Sequence, residues 1–341
     1  MYFEQFFVDG LGHQSYLLGS DSTREAAVVD PRLDVQCYLD AAHAAGLQIR
    51  YVLETHNHND FLSGARSLAE RAGAEHVASA EAGLRFPHRG VRDGDELRLG
   101  ELLIRAMHTP GHTPEHVSYA VYDLSRTGAA PLLAFTGGDL LVGAVGRPDL
   151  LGRQLGEELA PQLYDSLHHK ILPLGEGTLV MPAHGGGSLC GRDIAQTRFT
   201  TIGYEKLTNP ALQQPTREAF AAFVLEGNPG IPAYYQRMRP TNQAGPEPFR
   251  LPQPQRLPPR EVQHLAGHGA VVLDARAQVA FGGGHVPGAY NVPLGAMFAT
   301  WVGWLVPHDA PLILVLERDD DWNKARESIK AQNEKDRASR A

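Results

Sequence analysis

The segment Thr-His-Asn-His-Asn-Asp-Phe at residues 55–61 sets His56, His58 and Asp60 on alternate positions. Imidazole and carboxylate are ligand types for zinc or non-haem iron, and two histidines with one carboxylate suit an iron(II) ion that must also bind oxygen. Asn57, Asn59 and Asp60 tolerate the turn needed to bring these side chains to one pocket. A second cluster, HTPGHTPEH at 108–116, surrounds His112 with Pro110, Gly111 and Pro114, a rigid loop that would hold an imidazole still. His184, in MPAHGGG, again stands between an apolar strand pattern and a glycine turn. A single histidine of this kind is as a rule a hydrogen-bonded loop residue. Three sites of one design favour a metal-site ancestry, and the spacing leaves open whether metal is retained.

These residues need elements to position them. AAVVD (26–30), RYVLETH (50–56), LLIRAMH (102–108), LLAFTGGD (132–139) and GTLVMPAH (177–184) read as strands that end in polar or ligand-type residues. VQCYLDAAHAAGL and SGARSLAERAGA read as helices that stop at glycine. Strands ending in polar side chains, with helices packed outside, describe an α/β layered domain with its site on one edge.

At 341 residues the chain is long enough for two domains, each with its own core. A net charge of -8 argues against nucleic acid or an anionic membrane as partner. Cys37 and Cys190 cannot build a disulfide framework, which points to a reducing, cytoplasmic setting. The first ten residues carry an early acid and no basic run, so they do not read as a signal peptide. Residues 285–308 lack charge, but prolines, glycines and Asn291 interrupt them, which favours a buried segment over a membrane span.

The texture changes near residue 238. Residues 238–259 read as a proline-rich linker between a domain at 1–237 and a smaller α/β unit at 260–330, with a charged tail at 331–341.

In order, THNHND, HTPGHTPEH, FTGGDLLVGAVGRPDL, LYDSLHHKILPL with MPAH, and LTNP resemble the metallo-β-lactamase superfamily, and within it the persulfide dioxygenase branch. VVLDAR followed by GHVPGAYNVP is similar to a rhodanese domain. The resemblance implies an αββα sandwich followed by a small rhodanese-like α/β domain. It carries His56 and His112 over as the two histidine ligands of the dioxygenase iron. The third family ligand is an aspartate after Thr-Gly; here Gly138 takes that place and Asp139 follows one residue late, so a strand bulge would be needed to aim it at the metal. His58, Asp60 and His184 would then support catalysis around the metal, with Arg147 of GRPDL near the substrate or else paired with Asp149 to pin a loop. Two-metal members place a histidine where this chain has Phe61, so a dinuclear centre is not expected.

No cysteine follows Cys190, so the rhodanese-like unit has no thiol to carry sulfur, and the aspartates in RDDDWNKARES would repel a sulfur anion. Packing, dimerisation or partner docking are the roles left to it. The leading expectation is an iron-dependent persulfide dioxygenase that oxidises glutathione persulfide or a similar small persulfide to sulfite. The alternatives are a scaffold or regulator of sulfur metabolism that has lost catalysis, or a glyoxalase II-type thioester hydrolase acting on a glutathione conjugate. The expected cofactor is Fe(2+), with Zn(2+) as the other reading and none if the ligands are lost. A homo-oligomer is compatible with each.

Overall fold

A computed structural model describes residues 1–8, 10–248, 255–295, 297–307 and 310–325. The tail expected at 331–341, residues 326–330 of the smaller unit and 249–254 of the linker lie outside the described residues.

Two six-stranded sheets face each other. The first runs β1 (Tyr2–Val8), β2 (His13–Gly19), β3 (Glu25–Val29), β4 (Gln48–Leu53), β5 (Glu75–Ser79) and β6 (Arg89–Val91) in that order. The second holds β7 (Glu96–Leu99), β8 (Leu102–His108), β9 (Val117–Asp123), β10 (Leu133–Gly137), β11 (Leu179–Pro182) and β12 (Thr200–Thr201), again in spatial sequence. Between β3 and β6 the pairing is parallel, with α1 (Gln36–Ala44) and α2 (Ala65–Ala72) on the crossovers.

Strand periodicity explains the layering. On β3, Ala27 and Val29 face the second sheet, where they join Leu53, Ile104, Tyr119, Val121 and Phe135 in the central core. Ala26 and Val28 point the other way, onto Tyr38 and Ala42 of α1 and Leu68 of α2. Both faces of the strand are buried, which is why AAVVD is a continuous apolar run rather than an alternating one. The outer face of the second sheet is covered by α3 (Arg153–Ser166), α4 (Ile202–Thr208) and α5 (Arg217–Leu225), with Leu163, Ile202 and Phe220 packed on Val180.

The C-terminal portion differs from the sequence expectation first at the linker. Residues 238–244, expected as the start of a linker, belong to α6 (Tyr235–Ala244), which ends at Gly245 with φ +84°. Its Met238 and Asn242 are buried against the first domain, and Pro240 is tolerated inside it. Beyond, α7 (Pro259–Gly267), β13 (Val271–Asp274), α8 (Gln278–Gly283), β14 (Tyr290–Asn291), α9 (Phe298–Leu305) and β15 (Leu312–Val315) form a small parallel α/β unit with strand order β14-β13-β15. Leu273, Val292, Phe298 and Val302 make its core. The uncharged stretch expected to be buried is only partly so, because Trp301, Trp304 and Leu305 of α9 are exposed. No described helix is long and apolar enough to cross a membrane.

Candidate metal centre

The centre lies where several strands end on one edge of the sandwich. β4 runs out into Glu54–Phe61, β8 into the loop carrying His112 and His116, β10 into Gly137–Asp139, and β11 into His184. An isolated bridge pairs His13 with His184, so the β1–β2 turn closes over the same edge.

Three imidazoles converge. One ring nitrogen from each of His56, His112 and His184 lies within 4.8 Å of the others, and all three side chains are buried. Each ring presents its Nδ1 to an oxygen. His112 Nδ1 donates to the Arg147 carbonyl at 2.9 Å. Thr55 Oγ1 donates its one proton to Asp30 Oδ2 at 2.9 Å, so it accepts from His56 Nδ1 at 2.9 Å. Asp30, held at φ +50° just after β3, also accepts the Thr55 backbone N–H at 2.8 Å. His184 Nδ1 lies 3.1 Å from Asp60 Oδ2. The oxygens fix ring orientation and leave Nε2 of each histidine for the centre, the arrangement that supports metal-ligating imidazoles. His112 Nε2 is buried without any hydrogen-bond partner, and His184 Nε2 faces His56 Nε2 at 3.3 Å. The donor set therefore fits a single zinc or iron ion.

Electrostatics separate His184 from the other two rings. Burial, with His58 and His112 alongside, pushes His56 well below the ordinary imidazole range. Burial and the nearness of His184 and His116 do the same to His112. Burial opposes charge on His184, but Cys190 and Asp60 outweigh it and raise this residue well above that range. Burial alone would raise Asp60, yet His184, His58 and His13 around it hold it below the usual carboxylate range. Asp60 Oδ2 and His184 Nδ1 thus stand 3.1 Å apart in a setting that lowers the carboxylate and raises the imidazole.

Of the residues expected from sequence, His56 and His112 meet at the centre, and His184 joins them as a third candidate ligand rather than a support. His58, Asp60 and His184 also approach one another within 4.8 Å. His58 spends its Nε2 on Asp30 Oδ1 at 3.2 Å. Asp139 and Arg147 make contacts outside the three-ring cluster, Arg147 in the Asp149 pairing that was its second reading. The register of β10 against β11 does shift between Phe135 and Gly137, but the bulge does not aim Asp139 at the three histidines. Its carboxylate instead accepts the His112 backbone N–H at 3.2 Å and lies 3.1 Å from His116 Nδ1. Arg147 faces away as well. Its guanidinium makes two 2.7 Å bonds to Asp149 and one of 2.6 Å to the Pro229 carbonyl, so it pins a loop.

Phe61 fills the place of a second metal's histidine. Its ring is fully buried, with centroids 4.2 Å from His58 and 3.9 Å from His13. Gly138 lacks a carboxylate, and the ring of His112 occupies the space beside it: a Cβ on Gly138 would stand 2.2 Å from His112 Cδ2.

Several positioning residues escaped the sequence reading. Asn242 of α6 donates to the carbonyls of His58 and Phe61 at 2.9 and 3.0 Å and accepts the Ser63 N–H at 2.9 Å. One turn earlier, Arg239 grips Glu115 with bonds of 2.7 and 2.9 Å, and Glu115 accepts the Asn57 N–H at 2.9 Å. His13 and His116, both fully buried, also border the centre. Proline-rich surroundings hid the first pair; nothing in the spacing marked the others.

Comparison with known proteins follows the same lines. The metallo-beta-lactamase superfamily model matches residues 8–125. Persulfide dioxygenase ETHE1 of Homo sapiens is 34% identical over 224 residues, covering 64% of this chain and 77% of that protein. A hydroxyacylglutathione hydrolase of Rhodospirillum rubrum is 31% identical over 221 residues, again 64% of this chain and 77% of the relative. A crystal structure of a metallo-beta-lactamase from Staphylococcus aureus superposes with a TM-score of 0.87 at 30% identity, covering 99% of this chain and 98% of its own.

Proposed function

This chain belongs to the metallo-β-lactamase superfamily, and from that membership we propose that it is a mononuclear persulfide dioxygenase. It would act on glutathione persulfide or another low-molecular-weight persulfide, with iron(II) held by His56, His112 and His184. The observation that carries this reading is the combination of three convergent imidazoles with Phe61 in place of the second metal's ligand. A two-metal thioester hydrolase of the kind named among the relatives needs ligands that Phe61 and Gly138 do not provide.

The balanced reaction is RSSH + O₂ + H₂O → RSH + SO₃²⁻ + 2 H⁺. Bound iron(II) would supply the redox chemistry with oxygen. The chain's own contribution is orientation and exclusion. Asp30 acting through Thr55, the Arg147 carbonyl, and Asp60 hold the three rings in the tautomer that leaves Nε2 toward the metal. Phe61 packs its ring against His58 and offers no ligand there. The smaller unit supports a reading as a rhodanese-like module without a nucleophile, because no cysteine follows Cys190.

The test is elemental mass spectrometry on protein purified without added metal under low oxygen, followed by oxygen uptake on addition of persulfide. About one iron per chain with persulfide-dependent uptake and sulfite formation is expected. Metal-free protein that takes up neither iron nor zinc would overturn the reading in favour of a non-enzymatic role.

A further inference from the structure

The turn between β1 and β2 is stapled to the loop that carries His184. The Gly12 carbonyl accepts the Gly185 N–H at 2.6 Å, and the Ala183 carbonyl accepts the Gln14 N–H at 2.8 Å. Between these two bonds lies the His13–His184 bridge. The approach is so close that a Cβ on Gly12 would stand 2.5 Å from the Ser188 nitrogen. Leu11 at the tip clusters with Val8 and Phe61, and the Phe61 ring packs on His58 and His13. Gly10 and Gly12 take positive φ, +78° and +64°, so the turn has little stiffness of its own. Whatever fixes this turn also fixes the approach of His184 to His56 and His112.

The outer side of the turn is held by the smaller unit. Thr300 of α9 donates its Oγ1 proton to the Gly10 carbonyl at 3.0 Å, across 290 residues of sequence. Phe298 and Val302, on either side of it in sequence, sink into the smaller unit's own core. At about 100° of rotation per residue, Thr300 lies on the opposite face of the helix, and it is buried there. One helix thus joins the core of the smaller unit to the turn of the larger one. The Staphylococcus aureus structure superposes over 99% of this chain, so this placement of the two units is a shared arrangement.

We propose that the smaller unit acts as a clamp on the metal centre, with Thr300 as a positioning residue for His184 that works through the β1–β2 turn. No cysteine follows Cys190, so the unit has no thiol to carry sulfur. What it supplies instead is a hydroxyl that fixes a glycine turn against the centre. This role rests on the three-histidine reading of the centre and is independent of the substrate that the ion serves.

The test uses the full chain. Thr300→Val keeps the width of the side chain and removes the hydroxyl, whereas Thr300→Ser keeps the hydroxyl. Amide hydrogen exchange of the metal-free proteins is followed by NMR at Gln14 and Gly185, with β8 and β9 as reference. Zinc affinity is measured by competition with a chelator. In Thr300→Val the two amides should exchange about fivefold faster, the scale of one net hydrogen bond, while β8 and β9 stay as in wild type. Zinc should bind more weakly by a similar factor, and Thr300→Ser should match wild type in both respects. Unchanged exchange at Gln14 and Gly185 in Thr300→Val would overturn the assignment. So would faster exchange in every element alike, which marks a general loss of stability, or a local rise with zinc affinity unmoved. Failure of the underlying reading looks different: wild type that binds neither zinc nor iron defeats the metal centre, and exchange at Gly185 then decides the clamp on the turn by itself.

Discussion

His184 Nε2 lies 3.3 Å from His56 Nε2, a separation at which two imidazole nitrogens share either a proton or a metal ion. Cys190 and Asp60, the latter at its Nδ1, raise His184 well above the ordinary imidazole range when metal is absent. Metal uptake near pH 7 is therefore expected to release about one proton per ion. Calorimetry in buffers of different ionisation enthalpy measures that number. His184→Ala should lose metal, whereas Asp139→Asn should keep it, since Asp139 contacts His116 and the His112 backbone instead of the three-ring cluster. Metal loss in Asp139→Asn with retention in His184→Ala would reverse the ligand assignment.

Restoring the family carboxylate is expected to harm this chain. In Gly138→Asp the new Cβ would lie 2.2 Å from His112 Cδ2, so the ring must move and its Nδ1 bond to the Arg147 carbonyl is broken. Metal affinity should fall by roughly 10-fold to 100-fold, the usual scale for loss of an orienting contact. Competition with a chelator of known affinity gives the value, and tighter binding would show that the ring has another place to go.

Asn242→Ala leaves the Ser63 N–H and two carbonyls of the His58–Phe61 loop without partners in a buried place. The expected loss is about 1–3 kcal/mol of stability, read as a lower denaturant midpoint, together with weaker metal binding. An unchanged midpoint and full metal occupancy would mean that the loop holds its own shape.

Acidification should destabilise the metal-free protein. His13 is pushed down to about 3 by burial and by His58, and His56 and His112 are also lowered, so the folded chain refuses protons that the unfolded chain accepts below about pH 6.5. The stability of these three is full above that pH and is lost as pH falls. His184, raised, works in the opposite sense: its contribution is present below about pH 6.5 and lost as pH rises through its folded value. Three groups against one predict a lower thermal midpoint at about pH 5.5 than at about pH 7.5. A higher midpoint at the acid end would show that the Asp60–His184 pair dominates.

Strand runs such as AAVVD and LLIRAMH, buried on two faces, announced the sandwich, and their polar ends announced where its site would lie. His56, His112 and His184 were legible because each follows a strand and precedes a turn. What a linear pattern could not show was direction. Whether Asp139 or His184 completes the cluster depends on the left-handed turn at Gly137, φ +53°, where a side chain would strike Thr55 and His116. Arg239 and Asn242 were hidden for a different reason: prolines on both sides suggested an extended linker, while burial of Met238 and the Glu115 ion pair made the segment a helix.

The grip of Asn242 on His58 spans 184 residues, and it gives the centre a schedule. On the ribosome, His56, His58, His112 and His184 all emerge before the residue that clasps their loop. A nascent chain ending ahead of α6 would present imidazoles without a finished cage, and metal acquired then would be held loosely. Any ion the centre takes would be clasped fully only after the helix that precedes the smaller unit has been made.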